Sequence, residues 1–174
     1  MIHPTPDPVL AGQESVWDYP RPPRVEVVPR RARIEFGGAV IVDTADVVRV
    51  LETSHPPVYY LPIAEFASDA LVPAAGSSVC EFKGVASYFD VRAGSGVSGA
   101  PGAGAVAPRA AWTYPEPWAG YEALRGRVAV YAGPMDRCLL DEELVRPQPG
   151  GFYGGWVTDD VAGPFKGVPG SMGW

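Results

Sequence analysis

The 174-residue chain has no asparagine, two lysines (Lys83 and Lys166), two cysteines and two histidines. Each scarcity excludes something. Cys80 and Cys138 stand alone, with no C-x-x-C spacing and only His3 and His55 to join them. The four closely spaced ligands of a typical zinc site are therefore missing, and neither a metal nor a cofactor is expected. The apolar runs are short, far below the roughly 20 residues of a bilayer span, so no membrane partner is expected. The first eight residues carry neither a basic n-region nor an apolar h-region and do not read as a secretory leader. Without one, a cytoplasmic location with reduced thiols is the expectation.

Positive charge is also short. Fourteen basic residues against twenty acidic ones leave a net charge of −6, which argues against a nucleic-acid binder that tracks phosphates. The run Arg30-Arg31-Ala32-Arg33 reads as a solvated hairpin edge. The preference for arginine over lysine, with asparagine absent, fits the codon bias of a GC-rich, bacterial genome. It draws attention to the two lysines that remain, because a lysine is a compact point charge that arginine does not replace in every role.

Glycine (21) and proline (20) are abundant and cut the chain into short segments. Residues 24–28 alternate and read as an edge strand ended by Pro29. Residues 33–36 and 39–43 flank Gly37-Gly38 as a hairpin, and 46–52 is rich in valine, as a strand should be. Further strands are expected at 58–61, 78–82, 84–91, 110–114 and 127–131, with Gly84 marking a bulge or a close approach. One helix is expected over 62–71, where Ile63, Phe66, Ala67, Ala70 and Leu71 share a face behind Pro62. Residues 93–108, rich in glycine, serine and alanine, read as a flexible insert and not as a phosphate loop, since no G-K-[ST] follows. The expected organisation is an extended arm (1–23), a core domain (24–145) and a loop-rich tail packed on the core (146–174). The fold class is mainly β, a single domain of about eight short strands and one short helix.

Three blocks in order carry a family resemblance. They run from Val50 to Pro62 (VLETSHPPVYYLP), from Cys80 to Tyr88 (CEFKGVASY) and from Ala111 to Pro117 (AWTYPEP), with the tail's Gly154-Gly155-Trp156 and Gly163-Pro164-Phe165-Lys166-Gly167 fitting as well. Together they resemble the bacterial and fungal domain-of-unknown-function family 427. The resemblance implies a β-tent-like domain, similar in architecture to the methionine-R-sulfoxide reductases and the thalidomide-binding domain of cereblon. The four-cysteine zinc site of those relatives has no counterpart in a chain with two cysteines. A nucleotidyltransferase label attached to some members finds no support either. No Gly-Ser precedes spaced acidic ligands here, and Asp159-Asp160 lies in the glycine-rich tail. The family brings no agreed activity.

The candidate ligand-binding residues are Glu52, Tyr60, Lys83, Tyr88, Trp112 and Tyr114. The aromatic members read equally as core or as the wall of a small pocket for a planar or cationic ligand. Lys83 reads as a turn lysine before Gly84, or as a pocket residue that receives an anionic or carbonyl group with Glu52 nearby. Strand alternation would put Glu81 and Lys83 on one face and Cys80 and Phe82 on the other, making Cys80 a buried core cysteine. His55, next to Pro56-Pro57, reads as part of a turn cap or, with Glu52, as an acid–base group, and Lys166 has no argued role. Three functions follow. The first is a small-molecule-binding domain. The second is a cofactor-independent enzyme using Glu52 and Lys83 as catalytic acid–base groups. The third is an interaction or self-association module, such as a homodimer, that docks through Trp17, Trp156 and Trp174.

Overall fold

The computed structural model of the chain describes residues 4–93, 102 and 104–174. The expected flexible insert falls largely outside these residues. Valine-rich and alternating segments form the strands β1 (Glu14–Ser15), β2 (Arg24–Val28), β3 (Ala32–Phe36), β4 (Ala39–Thr44), β5 (Val47–Leu51), β6 (Val58–Pro62), β7 (Leu71–Cys80) and β8 (Gly84–Arg92). They continue with β9 (Val106–Thr113), β10 (Arg127–Val130), β11 (Arg137–Leu140), β12 (Glu143–Leu144), β13 (Arg146–Pro147), β14 (Trp156–Val157) and β15 (Val161–Ala162). The protein is mainly β.

Seven strands form one antiparallel sheet in the order β2-β5-β6-β10-β9-β8-β7, and four form a second in the order β12-β11-β3-β4. The strand expected at 24–28 is an edge strand of the larger sheet. The Gly37-Gly38 hairpin joins β3 to β4, with both glycines at positive φ as such a tight turn requires. The period of two along each strand then gives the larger sheet two different faces. Val47, Tyr59, Leu61, Ala111, Val128 and Val130 meet Ile34, Phe36, Ile41 and Leu140 of the smaller sheet in the main core. Their neighbours Val48, Tyr60, Trp112 and Ala129 point the other way, into a second apolar cluster with Ala86, Tyr114, Tyr121 and Leu124.

Three sequence expectations fail in instructive ways. No helix forms over 62–71. Pro62 ends strand β6 paired with Arg127, a single 3-10 turn covers Ile63–Glu65, Phe66 is extended, and a second turn closes from Ala67 to Ala70 (3.1 Å) with Asp69 at positive φ. The Ala67 amide is taken by the Ile41 carbonyl (2.7 Å), a tertiary bond that replaces the helical one. The apolar spacing is real, since Ala70 is buried and Ile63 and Phe66 pack on the main core, but an irregular segment meets it. Strand pairing also stops two residues earlier than expected. Cys80 pairs with Gly84, so Glu81, Phe82 and Lys83 form the tip of the β7–β8 hairpin, where alternation no longer applies. The third failure lies in the insert, whose end is ordered: Val106, Ala107 and Pro108 already belong to β9.

Arm and tail close on each other and on the core. β1 pairs in parallel with β15, and Val16 and Tyr19 pack with Leu51, Val157 and Val161. Trp156 is 1% exposed, stacks near Tyr59 and donates to the Val130 carbonyl (2.9 Å), so it is a core residue and unavailable for docking. Trp17 and Trp174 pack against one another, with ring centroids 5.6 Å apart.

Candidate functional site

On the second face of the seven-stranded sheet lies a cavity of about 1290 Å³. Glu52, Tyr60, Lys83, Tyr88, Trp112 and Tyr114 all line it. The sheet register explains the aromatic wall. Tyr88 is the cross-strand partner of Trp112, Trp112 is that of Ala129, and Tyr60 on β6 pairs with Val48. One row across five strands thus brings Tyr60, Trp112 and Tyr88 to the same side. The Trp112 indole N–H donates to the Tyr60 hydroxyl (3.3 Å), and its ring lies 4.7 Å from Tyr131. The Tyr60 and Tyr114 rings stand 6.5 Å apart, and burial pushes both phenols well above their ordinary range, so each stays a neutral donor. At the far side Arg109 stacks on Tyr88 (4.1 Å), whose hydroxyl bonds to Ser78 (2.7 Å).

Lys83 sits at the hairpin tip, its carbonyl accepting from the Trp118 amide (3.1 Å). The following Gly84 has φ 109°, and a Cβ there would press on the Trp118 indole, so the expected close approach is met at the strand's first residue. Lys83 is 9% exposed. Among the described residues its ammonium has no ion pair and no hydrogen bond; its nearest feature is the Tyr114 ring, 6.0 Å from Nζ to centroid. A buried charge is ordinarily paired. Cys80 is half-buried and lines the cavity with Lys83, which corrects the expectation of a core thiol on the opposite face. The second cysteine, Cys138, is buried in the main core, which pushes its thiol up to about 12.

Glu52, just past β5, is held by Arg21 of the arm (3.4 Å), which also donates to the Thr53 carbonyl (3.1 Å). His55 corrects its reading as a cap: it is 8% exposed and lines the cavity. Its Nδ1 meets the side-chain amide of Gln148 from the tail (3.1 Å). That amide also donates to the Lys166 carbonyl (2.8 Å), while its oxygen accepts from the Gly155 amide (3.0 Å). The three bonds fix the Gln148 orientation, make Nδ1 an acceptor and leave the imidazole proton on Nε2. Burial and the nearby Lys166, Arg21 and Lys83 charges hold the imidazole down at about 3, so it is neutral.

Sequence reasoning did not bring Arg21, His55, Lys166, Gln148 and Tyr153 to this cavity, which they line together. One trace of it is legible: both lysines occur in Phe-Lys-Gly, and both line the same cavity. Gly154 fits the tail against the Trp112 ring, where a Cβ would overlap the ring's outer edge. Gly154→Ala is therefore expected to displace Trp112 and cost about 1–3 kcal/mol. A lower Tm with an altered near-UV dichroism band would show this; an unchanged band would contradict the packing.

The described residues contain no group of three or more histidine, cysteine or carboxylate side chains placed to hold a metal ion. Among them no helix is long and apolar enough to cross a membrane. No curated protein matches the chain. A family model does, over residues 24–141, well over half of the chain and inclusive of the six candidate residues. The protein belongs to the family described as a domain of unknown function, DUF427.

Proposed function

We propose that this domain binds a small organic molecule in the cavity between the aromatic wall and Lys83. The observation that carries the reading is Lys83, a residue nine-tenths buried whose ammonium has no protein partner among the described residues and faces a space large enough for a ligand. A ligand group of opposite charge that accepts its hydrogen bonds gains a charge-assisted contact there. Tyr60, Trp112 and Tyr114 supply flat apolar area beside it, with tyrosine hydroxyls to orient what binds. Glu52, engaged by Arg21, serves as local charge balance.

A fragment library followed by protein-detected NMR tests this reading. The expected outcome is a set of hits that share shifts at the Trp112 indole N–H and at the Gly154 and Gly155 amides. Hits scattered over the surface, with the Trp112 indole unmoved, would contradict it.

A further inference from the structure

We infer that the molecule held in this cavity is a flat oxyanion, a ring bearing a carboxylate or a phosphate, whose charged group is received by Lys83 together with His55, Arg21 and Lys166. The inference rests on the binding role proposed above and adds the charge of the ligand and a second set of contacts.

The first argument is where charge lies. The chain as a whole is acidic, at −6, yet its cavity is lined by Arg21, Lys83, Arg109 and Lys166 against Glu52 and Glu81. Glu52 is already matched by Arg21. A cationic ligand, which the aromatic groups alone would have allowed, meets a surplus of like charge. A neutral carbonyl would accept at most two hydrogen bonds and leave the charge of Lys83 unanswered. An oxyanion answers both.

The second argument is the set of free donors. Lys83 offers three N–H groups and has no protein acceptor for them among the described residues. Lys166 gives one N–H to the Trp174 backbone oxygen (2.9 Å) and lies over the Tyr153 ring (5.7 Å), which leaves two more. His55 is oriented by Gln148 so that Nε2 carries its proton, and no partner among the described residues takes it. Donors fixed in this way, facing one space and surrounded by positive charge, suit carboxylate or phosphate oxygens, and charge-assisted bonds of this kind are about twice as strong as neutral ones.

The third argument is the wall. Trp112 lies tilted against Tyr131 at 4.7 Å, and edge-on to Tyr60 at 6.4 Å, presenting ring surface to the same cavity. Such surface favours a flat apolar body attached to the anion. The arm supplies Arg21, and the tail supplies Gln148 and Lys166. All three lie outside the segment matched by the family model. The oxyanion subsite is thus completed by the parts of this chain that flank its family domain.

Calorimetric titration with four probes sharing one ring tests this: 2-naphthoate, 2-naphthyl phosphate, 2-naphthylmethanol and 2-naphthylmethylamine. At least one anion is expected to bind about tenfold or more tighter than the alcohol, with the amine weaker still. The ratio of the two anion affinities decides between carboxylate and phosphate. Lys166→Met is expected to weaken the better anion about fivefold and leave the alcohol unchanged. His55→Phe should act similarly, whereas His55→Gln, which keeps an N–H near the position of Nε2, should retain most of the affinity. An alcohol or amine binding as tightly as both anions would overturn the oxyanion while sparing the cavity. Four silent titrations would overturn both readings. Anion affinities unmoved by Lys166→Met, a change at a half-buried position, would overturn the second set of contacts even if His55→Phe failed to fold.

Discussion

Acidification from about pH 6 to pH 4 is expected to cost the fold roughly 1.4 kcal/mol per pH unit through His55 alone. In the folded chain its imidazole is buried among Lys166, Arg21 and Lys83, with the Tyr153 ring against it and Gln148 on Nδ1, and its pKa is lowered to about 3. In the unfolded chain it takes a proton near pH 6.5. Between those values the unfolded state binds one more proton than the folded state. Stability therefore rises with pH across the window and falls as pH falls. The full effect would be just under about 5 kcal/mol, and it falls to about 3–4 kcal/mol because His55 borders a cavity open to solvent. Glu26, Asp43 and Asp141, whose carboxyls are held low by arginine partners, lose stability in the same direction at lower pH. They are common to any His55 variant and cancel in a comparison. Denaturant unfolding of the wild type and His55→Gln at half-unit steps should show the steeper slope in the wild type alone. Equal slopes would mean that His55 is charged or exposed in the native state.

Lys83→Met is expected to leave the stability of the empty protein nearly unchanged and to make it poorer at binding. Methionine matches the length of the lysine stem and carries no charge to be left unpaired at a site 9% exposed. The ammonium faces a cavity open to solvent, so its removal is expected to change stability by less than about 1 kcal/mol, or no more than about 2–4 °C in Tm. Unchanged stability together with lost binding marks a residue kept for something other than folding. Lys83→Arg is expected to keep the fold while weakening binding, because a forked planar guanidinium does not reproduce a point charge at a hairpin tip. A Tm lowered by several degrees in Lys83→Met would assign Lys83 a structural role instead.

Much of the fold was legible because it is written in local patterns. Alternation at 24–28, the Gly37-Gly38 turn and the valines of 47–51 each specify a strand without reference to distant residues. The segment 62–71 was misread because its apolar spacing satisfies a core contact, and the bond that decides its conformation comes from Ile41, far away in sequence. The aromatic wall was legible as a group because its members sit in adjacent recognised blocks and share one sheet face. His55 and Lys166 were not, since their placement depends on Gln148 reaching back across 93 residues and on a tail that alternation does not describe. Trp156 reads in sequence as one of three docking residues, and its place in the core removes it from that reading.

The central claim is that Lys83 anchors an anion in the cavity, and it is tested most directly by one comparison. The tighter-binding naphthyl anion is titrated into the wild type and into Lys83→Met, with the melting curve confirming that both are folded. The expected result is a dissociation constant at least about 30-fold weaker in Lys83→Met, the scale of losing one member of a buried charge pair. Equal dissociation constants in two folded proteins would contradict it.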